Sequence, residues 1–333
     1  MKNRFFKSSL ILVFSILTAG FVGCGSDDTI IEETDDTTVV NVEATNFTTS
    51  DGSVTITTVP CTLSDGTTTD CYQIVTTSIP TDHQVGPWCP TNISDGADAG
   101  GIWLENGEVY DVDGAFIKNL ATFYNDTTWS MYDANGDIYV TETEDDCINA
   151  ANPDVTEEYE NFCVECLPSY ITDLTQTWLI PITPVAQSTA IYFSTGPGGP
   201  GTTTAPSTRG IALNGIEFSA PAPVDNILGA YTIAPFDDAG GHINVHQGYH
   251  YHAATSNIEN RHVVTQTDGH SSLIGYALDG FGIYEFEDAD GISPTDLDNL
   301  RGHSDGTRGY HYHVDEAGNN NFINGLKGAY AID

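Results

Sequence analysis

Gly-Tyr-His-Tyr-His occurs twice in the chain, at Gly248–His252 and at Gly309–His313. A Gly-His pair precedes each copy by five residues, so the full phrase G-H-x5-G-Y-H-Y-H repeats with a shift of 61 residues, from Gly241 to Gly302. Nine of the ten histidines lie within the span from the first phrase to the end of the second. This repeat, in an uncommon ionisable residue, is the strongest functional signal in the sequence.

The alternation of tyrosine and histidine predicts a β-strand in each copy, because aromatic residues favour strands. Successive side chains of a strand point to opposite faces, so His250 shares a face with His252, and His311 shares one with His313. Two imidazoles at positions i and i+2 can bind one metal ion, with Zn–N bonds of about 2.0–2.1 Å. Neutral imidazole also binds copper. We expect the two His-x-His pairs to meet around a common ion, copper or zinc.

Other residues near the phrases are candidate ligands as well. His242 and His303 hold equivalent places, eight residues before His250 and His311, and each could supply a third ligand or support one. The remaining candidates are His246, His270 and Asp279. A carboxylate such as Asp279 can alternatively hold a ligand imidazole through the N–H of its ring. His262 stands outside the repeat and is predicted to lie at the surface.

The segment between the phrases, His270–Tyr284, reads His-Ser-Ser-Leu-Ile-Gly-Tyr-Ala-Leu-Asp-Gly-Phe-Gly-Ile-Tyr. Together with the two phrases and with Thr295–Asp298, it resembles the YHYH domain family of bacterial exported proteins, over roughly residues 175–331. The resemblance implies an extracytoplasmic domain suspected of metal binding, and no particular reaction. Members often carry Cys near the phrases, whereas this chain has none after Cys166, so a thiolate ligand is not expected here.

The N-terminus has the pattern of an export signal. Basic residues precede an apolar run from Leu10 to Val22, which is typical of a secretory signal peptide and short for a membrane span. Phe21–Cys24 resembles a bacterial lipobox, which implies cleavage before Cys24 and diacylation of its thiol. The alternative is an ordinary signal peptide with an unrelated Cys.

These features predict a signal peptide at residues 1–23 and a flexible acidic tether at residues 24–50. The membrane partner would be reached through lipid on Cys24. The expected location is the cell envelope, as an outer-membrane or cell-surface lipoprotein, or otherwise secreted or periplasmic. The sequence names no protein partner.

The charge of the chain is strongly acidic. Its 333 residues include 47 Asp and Glu against 9 Lys and Arg, a formal net charge of −38. Such a surface repels phosphate backbones, so nucleic acid is not an expected partner.

Six cysteines besides Cys24 all precede residue 170. An even number in an exported chain predicts three disulfides. The short, turn-rich loop between Cys61 and Cys71 favours a bridge between them, and Cys89, Cys147, Cys163 and Cys166 are expected to pair among themselves in an order that the sequence leaves open. The Cys163-x-x-Cys166 motif lacks the βαβ context of a thioredoxin, which favours structural bridging over redox work or zinc binding.

The predicted fold class is mainly β with irregular antiparallel sheets. A disulfide-linked, Cys-rich β region is expected at residues 51–174, followed by the YHYH domain with its internal pseudo-repeat at residues 175–333. Strand-like runs cover residues 53–59, 128–132 and 138–141; a helix is predicted at residues 115–124. A hairpin is predicted at residues 210–218, where Asn214-Gly215 marks the turn.

Three functions are compatible with these patterns. The favoured one is transition-metal binding through the two His-x-His pairs. An alternative is a metal-dependent hydrolase of an extracellular polymer, with a metal-activated water and Asp279 or Tyr251 as the acid–base partner. In a third, the module is structural or adhesive: the tyrosines pack in the core, the histidines are hydrogen-bonded, and the repeat preserves a pseudo-symmetric fold. The sequence leaves open whether the protein is an enzyme.

Overall fold

The computed structural model describes residues 38–150, 155–171, 174–193, 206–255 and 262–332. The predicted signal peptide, Cys24 and the first part of the predicted tether lie outside these residues. The described residues group into one compact unit. Among the described residues, no helix has the length and apolar character that a membrane crossing requires.

The described chain is mainly β, as predicted. Its strands are β1 (Val54–Thr62), β2 (Thr68–Thr76), β3 (Ile102–Glu105), β4 (Glu108–Asp111), β5 (Gln176–Pro181), β6 (Ala186–Tyr192), β7 (Gly210–Ala212), β8 (Glu217–Phe218), β9 (Gly241–Asn244), β10 (Gly248–Tyr251), β11 (Leu273–Ala277), β12 (Gly282–Tyr284), β13 (Gly302–Asp305), β14 (Gly309–His313) and β15 (Gly325–Gly328). Its α-helices are α1 (Gly114–Phe123), α2 (Glu144–Ala150) and α3 (Val224–Gly229), and short 3-10 turns lie at Ala44–Asn46, Ala97–Ala99, Glu157–Tyr159, Pro168–Tyr170 and Ala317–Asn319.

An eight-stranded sheet carries both histidine phrases. Its order is β13-β14-β12-β11-β7-β8-β10-β9. From either edge inward, the sheet begins with the antiparallel hairpin of one phrase, continues with a parallel pairing, and then reaches a second antiparallel hairpin. The two halves meet at the antiparallel pair β7–β11. The sequence repeat therefore corresponds to two four-stranded units related by an approximate two-fold axis.

The inner hairpins of the two halves turn at equivalent Gly residues. Gly215 follows Asn214 between β7 and β8, and Gly280 follows Asp279 between β11 and β12. Both glycines have a positive φ, 84° and 86°, a conformation that L residues with a side chain rarely adopt. The hairpin predicted at Asn214-Gly215 is confirmed, and Asp279-Gly280 repeats it.

Strands of the first part of the chain form two smaller sheets, one of which also includes β5. Strand β1 confirms the strand predicted at residues 53–59, and it pairs with β2 and β5 in an antiparallel sheet. Helix α1 confirms the predicted helix, and the Asp113 carboxylate caps it by accepting from the Phe116 N–H at 2.6 Å. The runs predicted as strands at residues 128–132 and 138–141 are not strands; only isolated bridges, such as Tyr132 with Ile138, connect them.

Three disulfides cross-link this part of the chain. Cys61–Cys71 joins β1 to β2, as predicted, and the other bridges are Cys89–Cys163 and Cys147–Cys166. The two cysteines of the C-x-x-C motif thus go to different partners, which supports the structural interpretation of that motif.

Candidate metal centres

Seven of the predicted ligands gather into two separate groups. The first histidine group is His242, His250 and His252, and the second histidine group is His270, His303, His311 and His313. Within each group, one nitrogen of every ring lies within 4.8 Å of those of the others. Each group contains one His-x-His pair and the upstream histidine of the same phrase.

Strand pairing builds the first histidine group. In the hairpin β9–β10, His242 is directly opposite His250, and His252 lies two residues further on, beyond β10. The three rings are mutually 4.9 Å apart between centroids. His250 and His252 thus share a face, as the alternation predicted.

The second histidine group repeats this construction and adds a residue. His303 on β13 is directly opposite His311 on β14, and His313 follows on the same strand. His270, from the segment before β11, places its ring 4.9 Å from those of His311 and His313. This group therefore offers four imidazoles.

Hydrogen bonds to carbonyl oxygens fix the tautomer of most of these rings. The Nδ1 atoms of His250 and His311 donate to the carbonyls of the glycines two residues earlier, at 3.0 and 2.9 Å. Similar Nδ1 contacts join His252 to Ala220 O, His313 to Glu285 O, His270 to Ser271 O and His303 to an oxygen of Asp296. A carbonyl or carboxylate oxygen can only accept, so we assign the proton to Nδ1. In a neutral ring, Nε2 is then a bare lone pair.

The Nε2 atoms within each group lie close to one another. In the second histidine group, the Nε2 atom of His311 lies 3.0 Å from that of His270 and 3.0 Å from that of His303, and His303 and His313 are 3.2 Å apart. The first group has a matching Nε2–Nε2 distance of 3.2 Å between His242 and His252. Zn–N bonds of about 2.0–2.1 Å in a tetrahedron place neighbouring nitrogens about 3.3 Å apart. The spacing therefore fits a bound metal ion.

Burial favours the neutral form of five of these rings. Desolvation lowers the pKa of His250 and of His311 to about 4, and that of His313 to about 3. It also lowers the pKa of His242 and His252 well below the usual value, with further lowering by neighbouring imidazoles. Lone pairs of neutral imidazoles that face one another at 3.0–3.2 Å would experience a repulsion. A cation bound between them would relieve it.

The prediction that both His-x-His pairs meet around one ion is wrong. Four strands, β8, β7, β11 and β12, lie between β10 and β14, which at about 4.8 Å per strand places them about 24 Å apart along the sheet. Each His-x-His pair instead forms a separate group with the upstream histidine of its own phrase, and His270 joins the second group. The repeat thus produces two sites and not two halves of one site.

Two predicted ligands lie in neither group. His246 is exposed in the turn between β9 and β10, where its backbone N–H donates to Asn244. Asp279 is fully buried and accepts from the Tyr312 hydroxyl at 2.7 Å and from the Gly328 N–H at 2.8 Å. Tyr312 lies on the opposite face of β14 from His311 and His313. Asp279 therefore contacts that opposite face and not the histidines. The predicted surface position of His262 is confirmed.

Polar partners of the tyrosines were missed by sequence reasoning. Asp237 accepts from the Tyr249 hydroxyl, and Asp298 accepts from the Tyr310 hydroxyl. Asp237 and Asp298 stand in equivalent positions, four residues before the first Gly of each phrase. A side chain on that Gly, Gly241 in the first phrase, would collide with the Tyr249 ring. Extending the repeat upstream of the phrases would have found this pair of carboxylates.

The inner hairpins supply a second pair of tyrosine partners. Asn214 donates to the Tyr251 hydroxyl at 2.9 Å, in the place where Asp279 accepts from Tyr312. The two turns read Ala-Leu-Asn-Gly and Ala-Leu-Asp-Gly, beginning at residues 212 and 277. This second repeat, with a shift of 65 residues, is a signal that the sequence analysis did not use.

Replacing Asp279 by asparagine is expected to change how stability depends on pH. Desolvation raises the pKa of Asp279 from 3.8 to about 6, so the folded protein loses stability as pH rises through this interval and the carboxyl ionises. The shift of about 2 pKa units corresponds to about 3 kcal/mol. We therefore compare the free energies of unfolding of Asp279→Asn and of the native protein by urea titration at pH 3.5 and at pH 7. The value of the variant minus that of the native protein should be about 3 kcal/mol larger at pH 7 than at pH 3.5. A constant difference across this range would contradict the prediction.

A cavity of about 480 Å³ adjoins the first histidine group. All three histidines of that group line it, and Trp88, Val164 and Cys166 from the Cys-rich region form part of its wall. The cross-linked first half of the chain thus covers one of the two histidine groups.

Comparison with known proteins identifies a domain. No curated protein and no solved structure matches the chain. Residues 177–296 match the family model described as YHYH protein, a range that includes the first phrase and His270 and ends before the second phrase. The resemblance seen in the sequence is confirmed for this range, and the chain therefore carries a domain of the YHYH protein family.

Proposed function

We propose that the protein binds two transition-metal ions, copper or zinc, one in each histidine group. The observation that carries the proposal is the convergence of imidazole Nε2 atoms at 3.0–3.2 Å within each group. Imidazole nitrogen is a good ligand for both metals. Hydrogen bonds from Nδ1 to a carbonyl or carboxylate oxygen support six of the seven rings, as is usual for histidines that bind metals.

We further propose that the protein works in the cell envelope as a lipoprotein anchored through Cys24. The basic and apolar N-terminal pattern and the lipobox-like Phe21–Cys24 support this location. Three disulfides are in accord with an oxidising compartment. The net charge of −38 argues against nucleic acid as a partner.

Metal analysis of protein purified without an affinity tag tests the proposal. The native chain should contain two equivalents of copper or zinc, and the double variant His250→Ala/His311→Ala should contain none, because each substitution removes a buried ligand. His246→Ala is the matched control, since His246 is an exposed histidine of the same hairpin, and it should keep both ions. A native protein without stoichiometric metal, even after incubation with either ion, would overturn the proposal.

The alternative of a metal-dependent hydrolase is favoured by one observation, the cavity beside the first histidine group. The acid–base partners suggested by the sequence do not serve it. Tyr251 lies on the opposite face of β10 from His250, with its hydroxyl on Asn214, and Asp279 belongs to the other half of the sheet. Metal binding is therefore the function that the geometry supports best.

A further inference from the structure

The two histidine groups are built on the same arrangement of strands but differ in the number of histidines. The Ala-Leu-Asn/Asp-Gly turns align with a shift of 65 residues, and this shift matches His270 with residue 205, an alanine. The other three histidines of the chain do not complete the first group: His246 is exposed, His262 contacts the Asn46 carbonyl, and His83 packs against the rings of Tyr249 and Tyr251 on the opposite face. Among the described residues, no carboxylate or thiol joins this group either.

The second histidine group has two buried rings, His311 and His313, and two partly exposed rings, His270 and His303. The ring of Tyr284 lies 4.8 Å from His270 and 5.0 Å from His311 between centroids, and the guanidinium of Arg308 lies over the Tyr284 ring, 5.9 Å from its centroid. Four imidazoles satisfy the tetrahedral coordination that closed structural zinc sites use. An ion bound tetrahedrally by all four imidazoles would have no position left for an external ligand.

The first histidine group faces the cavity instead. A volume of about 480 Å³ is within the range of sites for small molecules. The described residues that line it include no Asp, Glu, Lys or Arg, although the chain has 47 acidic residues. Its walls are largely apolar, with Trp88, Pro223 and Ile227 among them, and Asn226, Asn244 and Gln247 add uncharged polar groups.

We propose that the metal ion of the first histidine group takes its remaining ligand from a small molecule in this cavity, whereas the ion of the second group is structural. This inference rests on the proposed metal binding. A divalent ion held by three neutral imidazoles keeps its positive charge, so it favours an anionic donor atom. Walls without charged side chains favour an apolar body, because a second buried charge would lack a partner. The ligand class is therefore a small organic anion with one oxygen donor, a carboxylate or phenolate, on an apolar frame.

Cobalt-loaded protein tests this division of roles, because the visible absorption of cobalt(II) reports its coordination. Benzoate is the probe, and acetate is the small comparison ligand. Benzoate should change the spectrum of the native two-cobalt protein saturably. His313→Ala, which alters only the second group, should keep that change, and His252→Ala should lose it. Ala234→Trp, which fills the cavity, should raise the Kd for benzoate at least about tenfold, or about 1.4 kcal/mol, and leave acetate binding nearly unchanged.

The outcomes separate this inference from the proposed function. Failure to load cobalt, copper or zinc would sink the proposed function itself. Two bound ions with a spectrum that neither benzoate nor acetate changes would overturn only the ligand inference. A benzoate response that survives in His252→Ala and disappears in His313→Ala would overturn the assignment of roles to the two groups.

Discussion

Replacing His313 by alanine is expected to lower the metal content from two ions per chain to one and the midpoint of thermal unfolding by about 10 °C. An ion that binds only the folded state adds about 4 kcal/mol at a free concentration a thousand times its Kd. For a protein of this size, each kcal/mol shifts the midpoint by about 2–4 °C. His313 is fully buried, and its Nε2 atom lies 3.2 Å from that of His303, so the group cannot keep its geometry without it.

Calorimetry and metal analysis on the same samples check this prediction. His246→Ala should match the native protein in both measurements, because its side chain is exposed and outside both groups. A strong chelator should remove most of the difference in unfolding midpoint between His313→Ala and the native protein, since both proteins then lack metal. Loss of both ions in the single variant would instead mean one shared site, contrary to the two groups of the structure.

Removing the Cys89–Cys163 bridge with paired serine substitutions is expected to lower the free energy of unfolding by about 4 kcal/mol. The two residues are 74 positions apart, so the bridge closes a long loop and strongly restricts the unfolded chain. The Cys147–Cys166 and Cys61–Cys71 bridges close loops of 19 and 10 positions, and loss of either should cost about 3 kcal/mol.

Urea titration of the three double variants gives the order of these effects. The Cys61/Cys71 variant is the matched control, because it also removes one bridge and replaces two cysteines by serines. A larger loss of stability in this variant than in the Cys89/Cys163 variant would contradict the loop-entropy argument.

Local features of the site could be predicted from the sequence. The Tyr-His-Tyr-His alternation placed His250 and His252 on one face because side-chain direction in a strand depends only on position. The equal spacing of His242 and His303 made each a candidate third ligand for its own pair, and the hairpins β9–β10 and β13–β14 place them there. The Asn214-Gly215 turn and the Cys61–Cys71 bridge were likewise local and were predicted correctly.

The number of sites could not be predicted in this way. It depends on the order of strands in the sheet, which results from pairings such as β8 with β10 and β7 with β11 between distant segments. A repeat is equally compatible with two halves of one site and with two complete sites. The role of Asp279 was also hidden, because a buried carboxylate near histidines has the same sequence signature whether it contacts an imidazole or a tyrosine hydroxyl.

The position of the two groups at the rims of the sheet has a consequence for the protein without metal. His242 belongs to the outermost strand β9 and His303 to the outermost strand β13, so each ion would fasten a terminal strand to its inner neighbour. Without the ion, an edge strand can separate from its neighbour, and its unpaired backbone N–H and C=O groups can then pair with strands of other molecules. The protein without metal should therefore self-associate through the edge strands of this sheet. The supply of metal would then determine the solubility of the protein as well as its stability.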